Sequence, residues 1–374
     1  MNQQDQHIFD VIVVGAGPAG IGVGVALKDA EVENFVIVDR HEVGASLKRW
    51  PAETRFITPS FPTNSIGMLD LNSIAIGVSP AYSLEVEHPT GSEYASHLKA
   101  VAEHFELQIE TGIDVQRVAK VDDVFLLDTP QDTLRCKNVI WAAGEFQYPN
   151  LGSFPGAELC RHTSTIRSYE DLDGDNFVII GGYESGIDAA YHIAELGKTV
   201  RVIDQNCPWK DESSDPSVAL STFTRERTRE EFFESQVELI ADTEIEAVTR
   251  KDHEYEILLG DQSTLKTCTR PLLATGFAGS QKLIIDLFEK REDGYPVLNE
   301  HDESTITPGL FLCGPMVRHD NHVFCFIYKF RQRFAVVAKQ VAKSLGLSGE
   351  GLEEYRKWGM YLDDLSCCGE ECVC

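Results

Sequence analysis

Residues 8–20 read IFDVIVVGAGPAG: the β-branched run Val11 to Val14 passes straight into Gly15-x-Gly17-x-x-Gly20, and the apolar-rich IGVGVALKDA follows. The pattern predicts a strand, a tight turn and a helix. The first glycine permits a sharp turn, the second lets backbone approach a pyrophosphate, and the third lets helix pack on strand, while the helix N-terminus supplies amides and a positive dipole end. A second strand, NFVIVDR, ends in Asp39-Arg40, and Asp39 stands nineteen residues after Gly20, where a carboxylate can hold a ribose diol.

The pattern recurs. Residues 176–186, NFVIIGGYESG, run into the helix IDAAYHIAELG and the strand KTVRVID. Tyr183 occupies the place of a middle glycine, but Gly181, Gly182 and Gly186 still allow the turn and the close packing. Gly182 and Ser185 are expected at a second pyrophosphate. Asp204, at the end of the strand, accepts from a free ribose 2′-hydroxyl and repels a 2′-phosphate, which favours NADH over NADPH. Arg201 lies inside that strand and Lys210 beyond Trp209, so no tight basic cluster forms. VIWAAGEF (139–146) and PLLATGF (271–277) are further apolar strands, each ending in a small-small-Gly turn at Gly144 and Gly276.

The 374 residues, 43% hydrophobic, suffice for one large or two ordinary domains. A formal charge of −27 disfavours nucleic acid and anionic membranes as partners, since both are held by concentrated positive surface. No apolar run reaches the roughly 18 residues that span a bilayer. The opening MNQQDQHIFD lacks signal-peptide blocks, and six cysteines (136, 160, 207, 268, 313, 325) are scattered as reduced thiols would be. A cytoplasmic protein is expected.

The two fingerprints with AAGE and ATGF between and after them resemble the flavoproteins with two dinucleotide-binding domains. The resemblance implies an α/β fold of two Rossmann-like domains, the second inserted in the first: residues 1–146 and 268–345 for FAD, 147–267 for NAD(P)H, then a C-terminal helix and cysteine-rich tail over 346–374. TPGLFLCGPMVRHDNHVFCFIYKF (307–330) resembles the family's last FAD segment, a strand ending at Gly314 and then a helix facing the flavin. Where many members have Gly-Asp this chain has Gly314-Pro315, leaving Asp320 as the candidate acidic contact. LKRWPAETRFITPSFPTNSIG (47–67) is most similar to the bacilliredoxin reductase group, which implies Arg49 and Trp50 beside the flavin. The length matches the smaller, thioredoxin-reductase-like architecture without a glutathione-reductase dimerisation domain. A homo-oligomer is compatible with it.

Flavoprotein disulfide reductases use two cysteines near the flavin. Neither a CxxxxC after the first fingerprint nor a CxxC in the inserted domain is present, and Ala19 replaces the glycine-loop cysteine of the bacilliredoxin reductase group. Cys313 and Cys325, flanking the expected flavin-facing helix, are the candidate redox pair, with packing as the competing role. His319 and His322 are candidates for tuning or protonating the flavin. A monooxygenase-type FxGxxxHxxx(Y/F) signature is not met: Phe154, Gly156, His162 and Tyr169 occur, but Gly156 and His162 are six positions apart. The chain ends LSCCGEECVC, and Cys367, Cys368, Cys372 and Cys374 form a candidate soft-metal site or thiol relay, with Cys367 and Cys368 as catalytic candidates. The Ser-Cys-Cys resembles the tail of mercuric reductases. The expected activity is an NAD(P)H- and FAD-dependent reduction of a disulfide, a small redox protein or a soft metal ion. The alternatives are a monooxygenase or a low-turnover sensor.

Overall fold

The computed structural model describes residues 7–63, 66–213 and 215–366. The cysteine tail, with Cys367, Cys368, Cys372 and Cys374, lies outside the described residues.

Strand β1 (Ile8–Val14), helix α1 (Pro18–Asp29) and strand β2 (Phe35–Asp39) form the first strand-turn-helix-strand unit. With β3 (Ile109–Thr111), β4 (Arg117–Val121), β5 (Val124–Asp128) and β6 (Thr133–Trp141) they make a sheet of order β3-β2-β1-β6-β5-β4. β1 lies parallel to both neighbours, with Val11 opposite Phe35 and Asn138. Val11, Ile12 and Val13 are fully enclosed, as expected where helices cover both faces of parallel strands. Helices α2 (Pro80–Leu84) and α3 (Gly91–His104) come from the long β2–β3 connection; Thr90 and Glu93 start α3 with a reciprocal cap.

The second sheet takes β7 (Arg161–His162), β8 (Asn176–Ile180), β9 (Thr199–Ile203), β10 (Val237–Ile240) and β14 (Leu272–Leu273) in the order β10-β9-β8-β14-β7, all parallel. Helices α4 (Glu184–Glu195), α5 (Thr222–Arg227) and α6 (Glu231–Gln236) belong to this unit. An antiparallel ribbon of β11 (Ile245–Lys251), β12 (Glu254–Leu259) and β13 (Thr264–Thr267) packs Val248 and Ile257 against Val178 and Leu273.

The chain returns to the first sheet with β15 (Leu310–Leu312), parallel to the last residues of β6. Helices α7 (Ile327–Phe330), α8 (Phe334–Ser344) and α9 (Glu354–Lys357) complete it. α8 packs so tightly on α1 that a Cβ on Gly22 would meet the Phe334 ring at 2.0 Å.

Three expectations need correction. The return falls later than 268, because Leu272 and Leu273 hydrogen-bond inside the second sheet. No helix follows Gly314 directly: residues 318–323 form a small hairpin, β16 (Arg318–His319) with β17 (His322–Val323), turned by Asp320 at φ +48°, and helix begins only at Ile327. The C-terminal helix expected within 346–374 takes up only Glu354–Lys357 of that segment, because Gly359 adopts φ +64° and Leu362 turns back to Gln332 and Arg333.

Candidate nucleotide sites and the seam between them

The two glycine loops are built alike. Gly15 and Gly181 hold φ of +113° and +104°, and a Cβ on either would lie 2.4 Å from a carbonyl oxygen, that of Ala142 or Ala274. Gly20 and Gly186 are pressed onto the carbonyls of Gly15 and Gly181, at 1.8 and 1.9 Å from an added Cβ. Both strand-end acids tie back to their loop: Asp39 Oδ2 accepts from Ala16 N at 2.8 Å, Asp204 Oδ2 from Gly182 N at 2.7 Å. Gly144 and Gly276 close the neighbouring strands at φ +66° and +73°, each with open space where a Cβ would point.

The loops differ in what faces outward. Nothing lies within 4 Å of a Cβ on Gly17, so the first loop presents bare backbone to a ligand. In the second, Tyr183 fills the equivalent place and bonds Pro216 O, while the Trp209 indole lies against Gly182, 2.0 Å from an added Cβ. The open first cradle leaves room for an FAD pyrophosphate, and the Asp39 oxygens accept from Ala16 N and His41 N beside it. In the second, Tyr183 and Trp209 take up the space before the loop, and the Gly182 N–H is already bound to Asp204.

Around the first loop, Arg40 bonds Gln147 just beyond the AAGE turn, and Arg49 Nη2 meets His41 Nε2 at 2.7 Å. Trp50 packs on Phe56, ring centroids 5.1 Å apart. The two connections between sheets bond to each other: Asn150 N donates to Gly276 O, Ala278 N to Tyr148 O and Ser280 N to Gly144 O. His162 braces this junction through Gly276 O and Ser164, and burial lowers its pKa, so it acts as a neutral structural ring.

A polar seam joins the units beside Tyr183. Lys329 Nζ donates to Asp215 Oδ1 at 3.0 Å and to Ser217 Oγ at 2.8 Å, and Ser217 Oγ lies 3.1 Å from the half-buried Cys325 Sγ. Because the ammonium occupies a lone pair of Ser217, the hydroxyl proton is free to point at sulfur. Burial raises the Cys325 pKa, opposed by Ser217, Lys329 and Arg318. Glu145 in the AAGE turn is likewise pushed up by burial, with Arg318 opposing. Sequence reading missed Glu145, Ser217 and Lys329; the one signal was a lysine inside the otherwise apolar FCFIYKF.

Cys313 does not join Cys325 in this seam. It is enclosed in the first core, where burial drives its thiol strongly toward the neutral form. His319 is turned inward, with Nε2 2.5 Å from the fully buried Asp302. Burial would raise the Asp302 pKa, but Arg333 and His319 together hold it low. Tethered in this way, His319 is a structural partner of Asp302. Asp320 sits at the hairpin tip, its carbonyl accepting from Arg291. Gly314, at φ +102°, lets the chain pass 2.9 Å from Ala19 Cβ, measured from an added Cβ. Among the described residues there is no cluster of three or more metal-ligating side chains, and no helix is long and apolar enough to cross a membrane.

Comparison with known proteins agrees with this arrangement. The chain is similar to bacilliredoxin reductase Bdr of Bacillus subtilis, 23% identical over 89% of this chain and 97% of that protein. It is similar in structure to the bacillithiol disulfide reductase Bdr of Bacillus cereus, with a TM-score of 0.73 at 19% identity over 90% of this chain and all of that one. It is also similar to a flavin-containing monooxygenase of Stenotrophomonas maltophilia, with a TM-score of 0.71 at 15% identity, covering 90% and 98%. The chain spans about half the length of the CzcO oxidoreductases of Bacillus that it also matches, 52% in each case. Residues 12–314 match the profile of the pyridine nucleotide-disulphide oxidoreductases, whose members use FAD and NAD(P)H, and the chain belongs to that family.

Proposed function

We propose that this protein oxidises NAD(P)H, with NADH preferred, and delivers the electron pair through FAD to a disulfide, a small disulfide-bearing redox protein or a soft metal ion. For a disulfide the balance is two electrons and two protons added, with the S–S bond broken and two thiols formed. The observation that carries the reading is that Cys325 of the first unit meets Ser217 of the second, Sγ to Oγ 3.1 Å, in the seam between the units. FAD when bound would supply the two-electron relay. The chain's own residues would do the rest. Asp39 and the Gly15–Gly20 loop seat one dinucleotide, and Asp204 with the Gly181–Gly186 loop seats the other. Ser217 and Lys329 steady a thiolate at Cys325, and Glu145 can hold a proton.

Asp204 supports the NADH preference, since its neighbour Lys210 is paired with Asp242 at 3.2 Å. The second thiol for Cys325 is assigned to the tail, with Cys367 and Cys368 as the relay and Cys372 and Cys374 joining them on a soft metal. The acceptor reaches the protein as a small molecule or small redox protein.

The test is anaerobic mixing of the FAD-loaded protein with NADH and low-molecular-weight disulfides, following thiol release. Cys325→Ser should keep bleaching of the flavin band by NADH yet lose thiol release, and truncation after Leu365 should lower that release at least about tenfold. NADH oxidation that proceeds only with oxygen, and equally in both variants, would replace this reading with the monooxygenase one.

A further inference from the structure

Tyr183 stands in front of the second loop where the first loop has open space. Its backbone, φ −83° and ψ −168°, matches that of Gly17, φ −86° and ψ −171°, so its side chain leaves the chain in the direction that is empty beside Gly17. A pyrophosphate laid over the first loop has that space to itself. Laid in the same way over the second, it meets the Tyr183 side chain, and the Trp209 indole closes Gly182 next to it. Pyrophosphate and ring therefore exclude each other.

The far end of the ring is fastened. The Tyr183 hydroxyl, kept protonated by burial and by the nearby Glu184, Cys325, Asp215 and Tyr328, donates to Pro216 O. Pro216 lies between the two residues that bind the first unit: Lys329 Nζ donates to Asp215 Oδ1 at 3.0 Å and to Ser217 Oγ at 2.8 Å, and Ser217 Oγ stands 3.1 Å from Cys325 Sγ. Ser217 N donates to Asp215 Oδ1 at 2.9 Å, which makes residues 215–217 one turn. Displacing the ring thus displaces the middle residue of that turn, next in the chain to the hydroxyl that faces the thiol. Ser217 favours the thiolate, because a hydrogen bond to the charged form lowers a pKa. Lys329 and Arg318 act in the same direction, burial and Asp215 against it.

We propose that Tyr183 is a positioning residue that couples the second loop to Cys325: with the loop empty it holds Ser217 on the thiol, and a dinucleotide that takes the place of the ring releases Ser217. The inference rests on reading this loop as the NAD(P)H site. Cys325 then has its full thiolate character only while the loop is empty, so nucleotide oxidation and thiol exchange take turns. A chain without the ring has nothing to displace and binds nucleotide more tightly.

The test is the pH profile of iodoacetamide alkylation at Cys325, followed by mass spectrometry of its peptide, in the full-length, FAD-loaded protein with its cysteines reduced. It is run with and without ADP-ribose, which carries the pyrophosphate but no nicotinamide, and whose binding is measured separately by calorimetry. The thiolate is the reacting form, so the midpoint reads the stability of the charged sulfur. Saturating ADP-ribose should raise the midpoint by about one pH unit, as expected for the loss of one hydrogen bond to a charged group. Tyr183→Ala, which fits the same extended backbone, should show the raised midpoint without ligand, move no further with it, and bind ADP-ribose at least about threefold more tightly. Should that variant fail to fold, Tyr183→Phe keeps the ring and removes only the bond to Pro216, and it should show the raised midpoint without ligand. Failure of ADP-ribose to bind would overturn the nucleotide reading of the loop and the coupling with it. Binding with an unmoved midpoint, an unliganded variant with the midpoint of the unsubstituted protein, or a Tyr183→Ala midpoint that ADP-ribose raises equally would overturn the coupling alone.

Discussion

The two glycine loops share a backbone and differ in what they show to a ligand. Gly17 precedes α1 at φ −86°, ψ −171°, and Tyr183 precedes α4 at φ −83°, ψ −168°. These angles are ordinary extended backbone that any residue adopts, so Gly17 is not required by the turn. It is required by the space in front of it. The contrast separates two uses of glycine that a motif merges: Gly15, Gly20, Gly181 and Gly186 are fixed by the protein's own atoms, whereas Gly17 answers to a ligand alone.

That separation can be broken most severely at the packed positions. Gly20→Val or Gly186→Val drives a side chain into a carbonyl and should each cost on the order of 3 kcal/mol or more. The first should abolish FAD binding. The second should spare it, because Ile187 and Val202 belong to a core separate from that of Val13 and Ile37. Loss of flavin from both, read by absorbance and thermal melting, would show that the loops are not independent.

Gly17→Tyr is the sharper case, since it copies the second loop into the first. The fold should survive with melting temperature nearly unchanged while FAD content falls to background. Normal flavin in this variant would sink the assignment of the first loop.

Smaller again is the effect at the strand-end acids. Asp204→Ala should narrow the ratio of kcat/KM for NADH over NADPH by about tenfold, roughly 1.4 kcal/mol. An unaltered ratio would remove Asp204 as the discriminating group, leaving Trp209 and Tyr183.

The least effect concerns pH. His192 faces Asp188, Glu195 and Arg227; burial lowers its pKa, but the bond to Asp188 outweighs this and raises it above the ordinary 6.5. Its stabilisation is therefore complete below about 6.5 and is lost as pH rises through the higher folded value. Asp188 has the opposite sign. Burial would raise it, yet His192 and Arg227 hold it at about 2, so its contribution is present above 3.8 and fades as pH falls toward 2. Melting temperature should thus decline modestly as pH rises beyond about 6.5, and His192→Gln should flatten that limb and shrink the acid limb to the part that Arg227 supplies.

Both fingerprints, both closing glycines and the strand-end acids were legible because strand, turn and helix signals lie within thirty or so residues and repeat. The region after Gly314 was not. VRHDNHVF reads as the start of a helix by analogy, but Asp320 turns it into a hairpin, and the fate of His319 depends on Asp302 and Arg333. The candidate histidine became a partner of the buried Asp302, and Cys313 a core residue, because neighbours remote in sequence hold the one and enclose the other.

What the sequence determined by itself is the stereochemistry of the two loops: Gly15 and Gly181 must be glycine wherever the chain goes, since a left-handed turn against a carbonyl admits nothing larger. What only the tertiary structure decided is the seam. Cys325 meets Ser217 across 108 positions, Lys329 meets Asp215 across 114, and Thr54 meets Asp188 across 134. No periodicity or spacing encodes such contacts, because they follow from how two separately packed cores come to rest against each other.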